Sequence, residues 1–121
     1  MKDKPGDIVR LHHILDAVSE LEKYTAAKTF IDFFEDTMLQ SACIRQLEII
    51  GEAANRISNN IKTKSENIEW REIIGLRNIL IHEYFGIDVD LIWEIIRKDI
   101  PKLKDSVKSL LVNIEKKGLH S

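Results

Sequence analysis

Wherever apolar residues recur over more than two turns in this chain, they do so at every third and fourth position, and nowhere do they alternate. That period marks one face of an α-helix, whereas a half-buried strand repeats every second residue. The pattern predicts an all-α protein: an antiparallel bundle of four to five helices with no sheet. At 121 residues the length suits one domain spanning 1–121, with a core over about 7–116.

Pro5-Gly6 and an Asp7 cap open a first helix whose Ile8, Leu11, Leu15, Val18 and Leu21 form its stripe and which ends near Tyr24. Thr29 to Asp36 reads as a short helical or irregular link whose Phe30, Phe33 and Phe34 plug the core. A long helix then runs from about Thr37 to Ile57, with Leu39, Cys43, Leu47, Ile50, Ala54 and Ile57 along one side. Its Gly51, Ala53 and Ala54 are small enough to let another helix come close. Ser58-Asn59-Asn60 stops it, and the polar, aperiodic Lys62 to Glu66 predicts a loop.

A further helix is expected from Ile68 to His82 or Tyr84, with Trp70, Ile73, Ile74, Leu80 and Ile81 inward, and Phe85-Gly86 turns the chain out of it. The last element starts at Asp88 or Asp90. Its Ile92, Ile96, Ile100, Leu103, Val107, Leu110 and Ile114 keep their period straight through Pro101, which predicts one helix kinked near that proline rather than two.

The chemistry concentrates at the end of the fourth of these segments. Arg77-Asn78-Ile79-Leu80-Ile81-His82-Glu83-Tyr84 sets a permanent cation, an amide, an imidazole and a phenol among core residues. Arginine offers a planar fork of donors that fits phosphate oxygens, and histidine takes or gives a proton near neutrality. Together they suit phosphodiester cleavage in RNA. There the neighbouring 2′-hydroxyl is an internal nucleophile, a base removes its proton, a cation steadies the crowded phosphorane, and no metal is required. Geometry limits the pair: five positions apart, they diverge by about 140° around an ideal helix and ~7.5 Å along it. Asn78 and His82, four apart, share a face. A curled arginine side chain, a loosening of the helix near His82, or a second copy of the chain could complete a pocket, and the first and third together are favoured.

Arg77, His82 and Tyr84 in an R-x4-H-x-Y arrangement, with Arg45-Gln46-Leu47-Glu48-Ile49-Ile50-Gly51-Glu52-Ala53-Ala54 upstream and Phe85-Gly86-Ile87-Asp88 downstream, resemble the HepT-like branch of the HEPN superfamily. The resemblance runs from Ile8 to about Ile114. It implies a homodimeric, metal-independent endoribonuclease toxin in which Arg77 and His82 are the catalytic pair in a cleft between protomers, with Asn78 in support and no cofactor. It also implies a cognate minimal nucleotidyltransferase (MNT-type) antitoxin that transfers AMP to Tyr84, blocking the site with bulk and negative charge. Between the pair, Ile79, Leu80 and Ile81 are strongly apolar. The alternative is a non-catalytic helical binding subunit that docks such a nucleotidyltransferase.

Plainer roles stand beside these. Arg77 could pair with Glu83, Glu48 or Glu52, and Glu52 could at the same time orient its guanidinium for catalysis. Glu48 and Glu52 share a face but have Arg45 and Arg56 as nearer partners than any metal. Tyr84 could be an interface aromatic. His12 and His13 point about 100° apart and are expected at the surface, Trp70 and Trp93 in the core or an interface, and Lys102, Lys104 and Lys108 on a solvated face.

The formal charge of −2 argues against a broad basic surface. Contact with RNA must therefore be local, at Arg45, Arg71, Arg77 and lysines near the cleft. The lone Cys43 excludes an internal disulfide and a cysteine-based zinc site, and is expected as a buried thiol in a reducing compartment. No stretch approaches the ~20 apolar residues that span a bilayer, so a soluble, cytoplasmic protein is expected. His82-Glu83 begins like the zinc-protease motif H-E-x-x-H, but Gly86 stands where its second histidine belongs.

Overall fold

Asp7 cannot serve as the cap of the first helix, because its side chain is needed elsewhere. The computed structural model describes the backbone of residues 6–82 and 88–120 and the side chains of 6–77 and 88–116. Helix α1 spans Asp7–Thr25, and its capping residue, Gly6, has no side chain to offer. The Asp7 carboxylate is buried and instead accepts hydrogen bonds from the Ser58 N–H at 3.0 Å and the Ser58 hydroxyl at 2.6 Å. This clasp ties the start of α1 to the end of α3 (Thr37–Arg56). At the other end, Gln46 of α3 reaches the Tyr24 hydroxyl of α1. The two helices are therefore antiparallel. Replacing Asp7 with alanine leaves the buried Ser58 donors without their acceptor and should cost about 2–3 kcal/mol. An unchanged urea midpoint for that variant would contradict the role.

Of the two short helices, α2 takes the helical form of the expected link, and the other replaces part of an expected loop. In α2 (Phe30–Glu35), Thr29 and Asp32 form a reciprocal capping box, and those bonds from Thr29 hold the Asp32 carboxyl below its usual range. Of the three phenylalanines meant to plug the core only Phe33 is fully buried. Phe30 is half-buried and Phe34 is 59% exposed, since a six-residue helix turns one side inward. Gln40, buried in α3, donates to the carbonyls of Phe33 and Phe34 and closes the end of α2.

Lys62–Lys64 do not form a loop: Ser58 caps α4 (Asn59–Lys64), whose Ile61 is buried in the core. Burial pulls the Lys62 ammonium's pKa down, and Asp7 nearby pulls it the other way.

The long stripes behave as their period requires, with one rotation. In α1 the fully buried residues are Leu11, Ile14, Val18 and Leu21, while Leu15 is half-buried and Ile8 is 40% exposed. In α3, Cys43, Leu47, Ile50, Ala54 and Ile57 are buried. Burial pushes the Cys43 thiol up to about 11, so it sits in the core as a neutral apolar group.

Asp88 caps α6 (Val89–Glu94), and a π-helical turn, Ile95–Asp99, leads into α7 (Ile100–His120). Pro101 has no N–H to give and its ring presses on the carbonyl four residues back. The wider turn just before it, in which the Ile100 N–H donates to the Ile95 carbonyl, accommodates the proline while the apolar stripe continues. Arg97, on this turn, lies 4.5 Å from the centre of the Trp93 ring and donates to the Lys28 carbonyl.

Helix α1 packs between α3 and α7, and α3 in turn packs against α5 (Trp70–His82). Lys104 of α7 pairs with Glu22 of α1 at 2.9 Å, so one of the lysines expected on a solvated face is half-buried in an ion pair. Among the described residues the architecture is entirely helical: long α1, α3, α5 and the continuous α6–α7 unit, with α2 and α4 as connectors. No helix of the described residues is long and apolar enough to cross a membrane.

Candidate functional site

Helix α5 carries Arg77, Asn78 and His82 in its second half, and its position is fixed at two places. At its start Trp70 is buried and its indole N–H donates to the Ser65 hydroxyl at 2.9 Å. That hydroxyl donates in turn to the Ile61 carbonyl at 2.6 Å, which ties α5 to α4. In the middle the small segment of α3 does what its size allows. A Cβ placed on Gly51 would stand 3.3 Å from the Arg77 Cβ, the Arg77 backbone nitrogen and the Ile73 carbonyl oxygen. The two helices therefore press together at Arg77 and Ile73, and glycine is the residue that permits it. Leu76, adjacent, is buried beside this contact, while Ile73 and Ile74 are half-buried.

With its stem held against α3, Arg77 is half-buried. No carboxylate among the described residues is in ion-pair contact with it. Glu48 is engaged by Arg45 at 3.5 Å, as the sequence spacing suggested. Glu52, expected to orient the arginine, is exposed and lines a different hollow on the α1 side of α3. Neighbouring residues on a helix point about 100° apart, so the contact at Gly51 turns Glu52 aside from Arg77. The guanidinium is thus left with its donor fork unassigned among these residues, which is the state a phosphate-binding arginine requires.

The backbones of Asn78 and His82 continue the same helix; their side chains, and the whole of Glu83, Tyr84 and Phe85-Gly86, lie outside the described residues. The structure therefore brings Arg77, Asn78 and His82 onto one helix, and does not bring Glu52 to them. Arg45 and Arg71 are exposed, as are His12 and His13.

One cluster was not anticipated. Arg10 and His13 of α1 face Glu52 and Arg56 of α3 across a groove of about 290 Å³ floored by Ile49 and Ala53. Three-residue spacing in Arg10 and His13, and four-residue spacing in Glu52 and Arg56, put each pair on one helix face. Nothing local joins the two pairs, which lie about forty positions apart. A second hollow, about 400 Å³, opens between the start of α5 and the π-helical turn, with Ile68, Leu76 and Ile95 beneath a rim that includes Glu69, Glu72 and Asp99.

Comparison with known proteins converges on one family. A family model described as Ribonuclease HepT-like matches residues 14–110. A Thermococcus cleftensis protein named "Probable ribonuclease HepT" is 43% identical over 100 residues, 83% of this chain and 91% of that protein. A Methanocaldococcus jannaschii protein named as a "putative RNase" is 44% identical over 98 residues, 81% of this chain and 90% of its own length. In a longer protein of the same organism, named "Gamma-glutamylcyclotransferase and putative RNase", the match is 43% identical over 89% of this chain but spans only 49% of that protein. No solved structure matches the chain.

Proposed function

The chain belongs to the HepT-like ribonuclease family, and on that premise we propose that it is a metal-independent endoribonuclease toxin that cuts RNA with Arg77 and His82. The observation that carries this reading is Arg77: half-buried, its stem pressed on Gly51, five positions before His82 on one helix, and without a carboxylate partner among the described residues. The proposed step is an in-line transfer within the strand. The ribose 2′-oxygen loses its proton to His82 and attacks the adjacent phosphorus, and the bond to the 5′-oxygen of the next nucleotide breaks. The 5′-oxygen takes up a proton, so that a 2′,3′-cyclic phosphate and a 5′-hydroxyl result. Arg77 neutralises the phosphorane, and Asn78 orients the phosphate or the imidazole.

In this reading the active species is a cytoplasmic homodimer, and the site takes residues from both protomers across a two-fold axis. Its antitoxin is a minimal nucleotidyltransferase that adds AMP to Tyr84. The experiment follows from the shared site. Purified Arg77→Ala and His82→Ala proteins are mixed, allowed to exchange subunits, and given RNA in the presence of chelator. Cleavage returning in the mixture, above either variant alone, supports a composite site. A mixture as inactive as its components rejects that arrangement. Mass spectrometry of Tyr84 after co-expression with a neighbouring nucleotidyltransferase tests the modification: the added mass of AMP is expected, and an unmodified tyrosine counts against it.

A further inference from the structure

We propose that the groove between the start of α1 and the end of α3 is a second phosphate subsite, which holds a phosphodiester of the bound RNA strand away from the one being cut. The inference rests on the RNA-cleaving reading above and adds to it a surface that the family match does not assign.

The chain as a whole carries a formal charge of −2, so cations that serve a polyanion have to be gathered in one place. This groove gathers them. Arg10 and Arg56 supply two fixed positive charges against the single carboxylate of Glu52, and His13 adds a further donor. Neither arginine is in an ion pair with another described residue, and Glu52 is not bridged to Arg56 although four-residue spacing would allow it.

The Arg10 guanidinium lies directly over Gly6, against which a Cβ at that position would collide. It is thereby held at the first turn of a 19-residue helix, where the helix dipole favours an anion. The nearest buried acid, Asp7, turns its carboxylate away to Ser58. Beneath the cations, Ile49 and Ala53 give an apolar floor on which a sugar or base can rest.

The groove faces the α1 side of α3 and Arg77 the α5 side, so about one helix diameter, ~10–12 Å, separates them. The groove therefore holds a neighbouring stretch of strand and not the scissile phosphate.

The test is equilibrium binding of a short fluorescent single-stranded RNA, 2′-O-methylated throughout so that it cannot be cut, measured by anisotropy over a range of salt. Arg10→Ala and Arg56→Ala should each weaken binding about fivefold and flatten the salt dependence by about 0.7, and the double variant by about twice that slope. Arg10→Lys and Arg56→Lys should keep most of the affinity. Lys98→Ala, which removes an exposed cation outside the groove, should change little. Circular dichroism shows whether each variant is folded.

Unchanged affinity and slope in the folded double variant overturn the inference. The two readings fail separately. If the double variant binds normally while Arg77→Ala and His82→Ala each abolish cutting, the groove is rejected and the ribonuclease stands. If the groove variants lose binding while Arg77→Ala and His82→Ala cut as well as wild type, the groove stands and the catalytic pair is rejected.

Discussion

Arg77→Ala, and separately His82→Ala, is expected to lower RNA cleavage in the presence of chelator by about 10²–10³-fold. The two losses have different origins. Without the guanidinium nothing offsets the extra charge on the phosphorane, an interaction felt most strongly in the transition state, so kcat should fall more than binding. Without the imidazole the 2′-hydroxyl keeps its proton. Arg77→Lys should recover only part of the activity, because an ammonium supplies charge but not the planar fork that grips two oxygens. Arg77→Ala and Arg77→Lys should keep the wild-type helical signal and melting temperature to within a few degrees, since Arg77 makes no ion pair with a described residue that the fold could lose. Cleavage that persists in folded Arg77→Ala or His82→Ala would mean that another group does the chemistry.

The second large effect is expected at Gly51, which touches no substrate. A leucine there has to be accommodated where even a Cβ would stand 3.3 Å from the backbone nitrogen and Cβ of Arg77 and from the Ile73 carbonyl. Backbone cannot yield as a flexible side-chain end can, so α5 must move off α3. Gly51→Leu should cost about 3 kcal/mol, roughly 10 °C in melting temperature. Gly51→Ala is the sharper probe. The alanine gains about 1 kcal/mol of helix propensity and loses a similar amount to crowding, so stability should change little while cleavage drops, because the shift falls on Arg77. At Gly75, in the same helix as Arg77, an added Cβ meets no described atom within 4 Å, so Gly75→Ala should be stabilised by up to ~1 kcal/mol. A Gly51→Leu protein as stable as wild type would show that α3 and α5 do not meet at this point.

Periodicity is a sound guide only where a helix is long enough to repeat. The boundaries of α1 and α3 fall within a residue or so of those expected, because Leu11, Val18 and Leu21, and Cys43, Leu47, Ile50 and Ala54, each mark several turns. Helix α4 escaped notice for the opposite reason. Asn59–Lys64 is polar and one and a half turns long, with Ile61 as its only core residue, and it is fixed by Ser58 and the distant Asp7. Asp7 was misassigned because a carboxylate at a helix start is ordinarily a local cap. Its true partner lies 51 residues away, a pairing only the packed bundle creates. The unbroken stripe through Pro101 was legible as one continuous helical element, but the π-helical turn that accommodates the proline was not.

For the site, the residue types and the R-x4-H-x-Y spacing identified the family, and the small Gly51 segment indicated a close helix approach. That the approach would fall on Arg77, and that it would turn Glu52 toward α1, required the relative rotation of α3 and α5. The Arg10 and Arg56 groove depends likewise on how α1 lies across α3.

The most direct measurement is made on one RNA, in chelator, at one nucleotide. The position that the wild-type protein cuts is mapped, and the same strand is then made with a single 2′-deoxy substitution at the nucleotide whose hydroxyl would attack. The unmodified strand should be cut to leave a 2′,3′-cyclic phosphate, and the substituted strand should survive at that bond. Cleavage of the substituted bond, or products that bear a 5′-phosphate, would contradict cleavage by an internal hydroxyl assisted by Arg77 and His82.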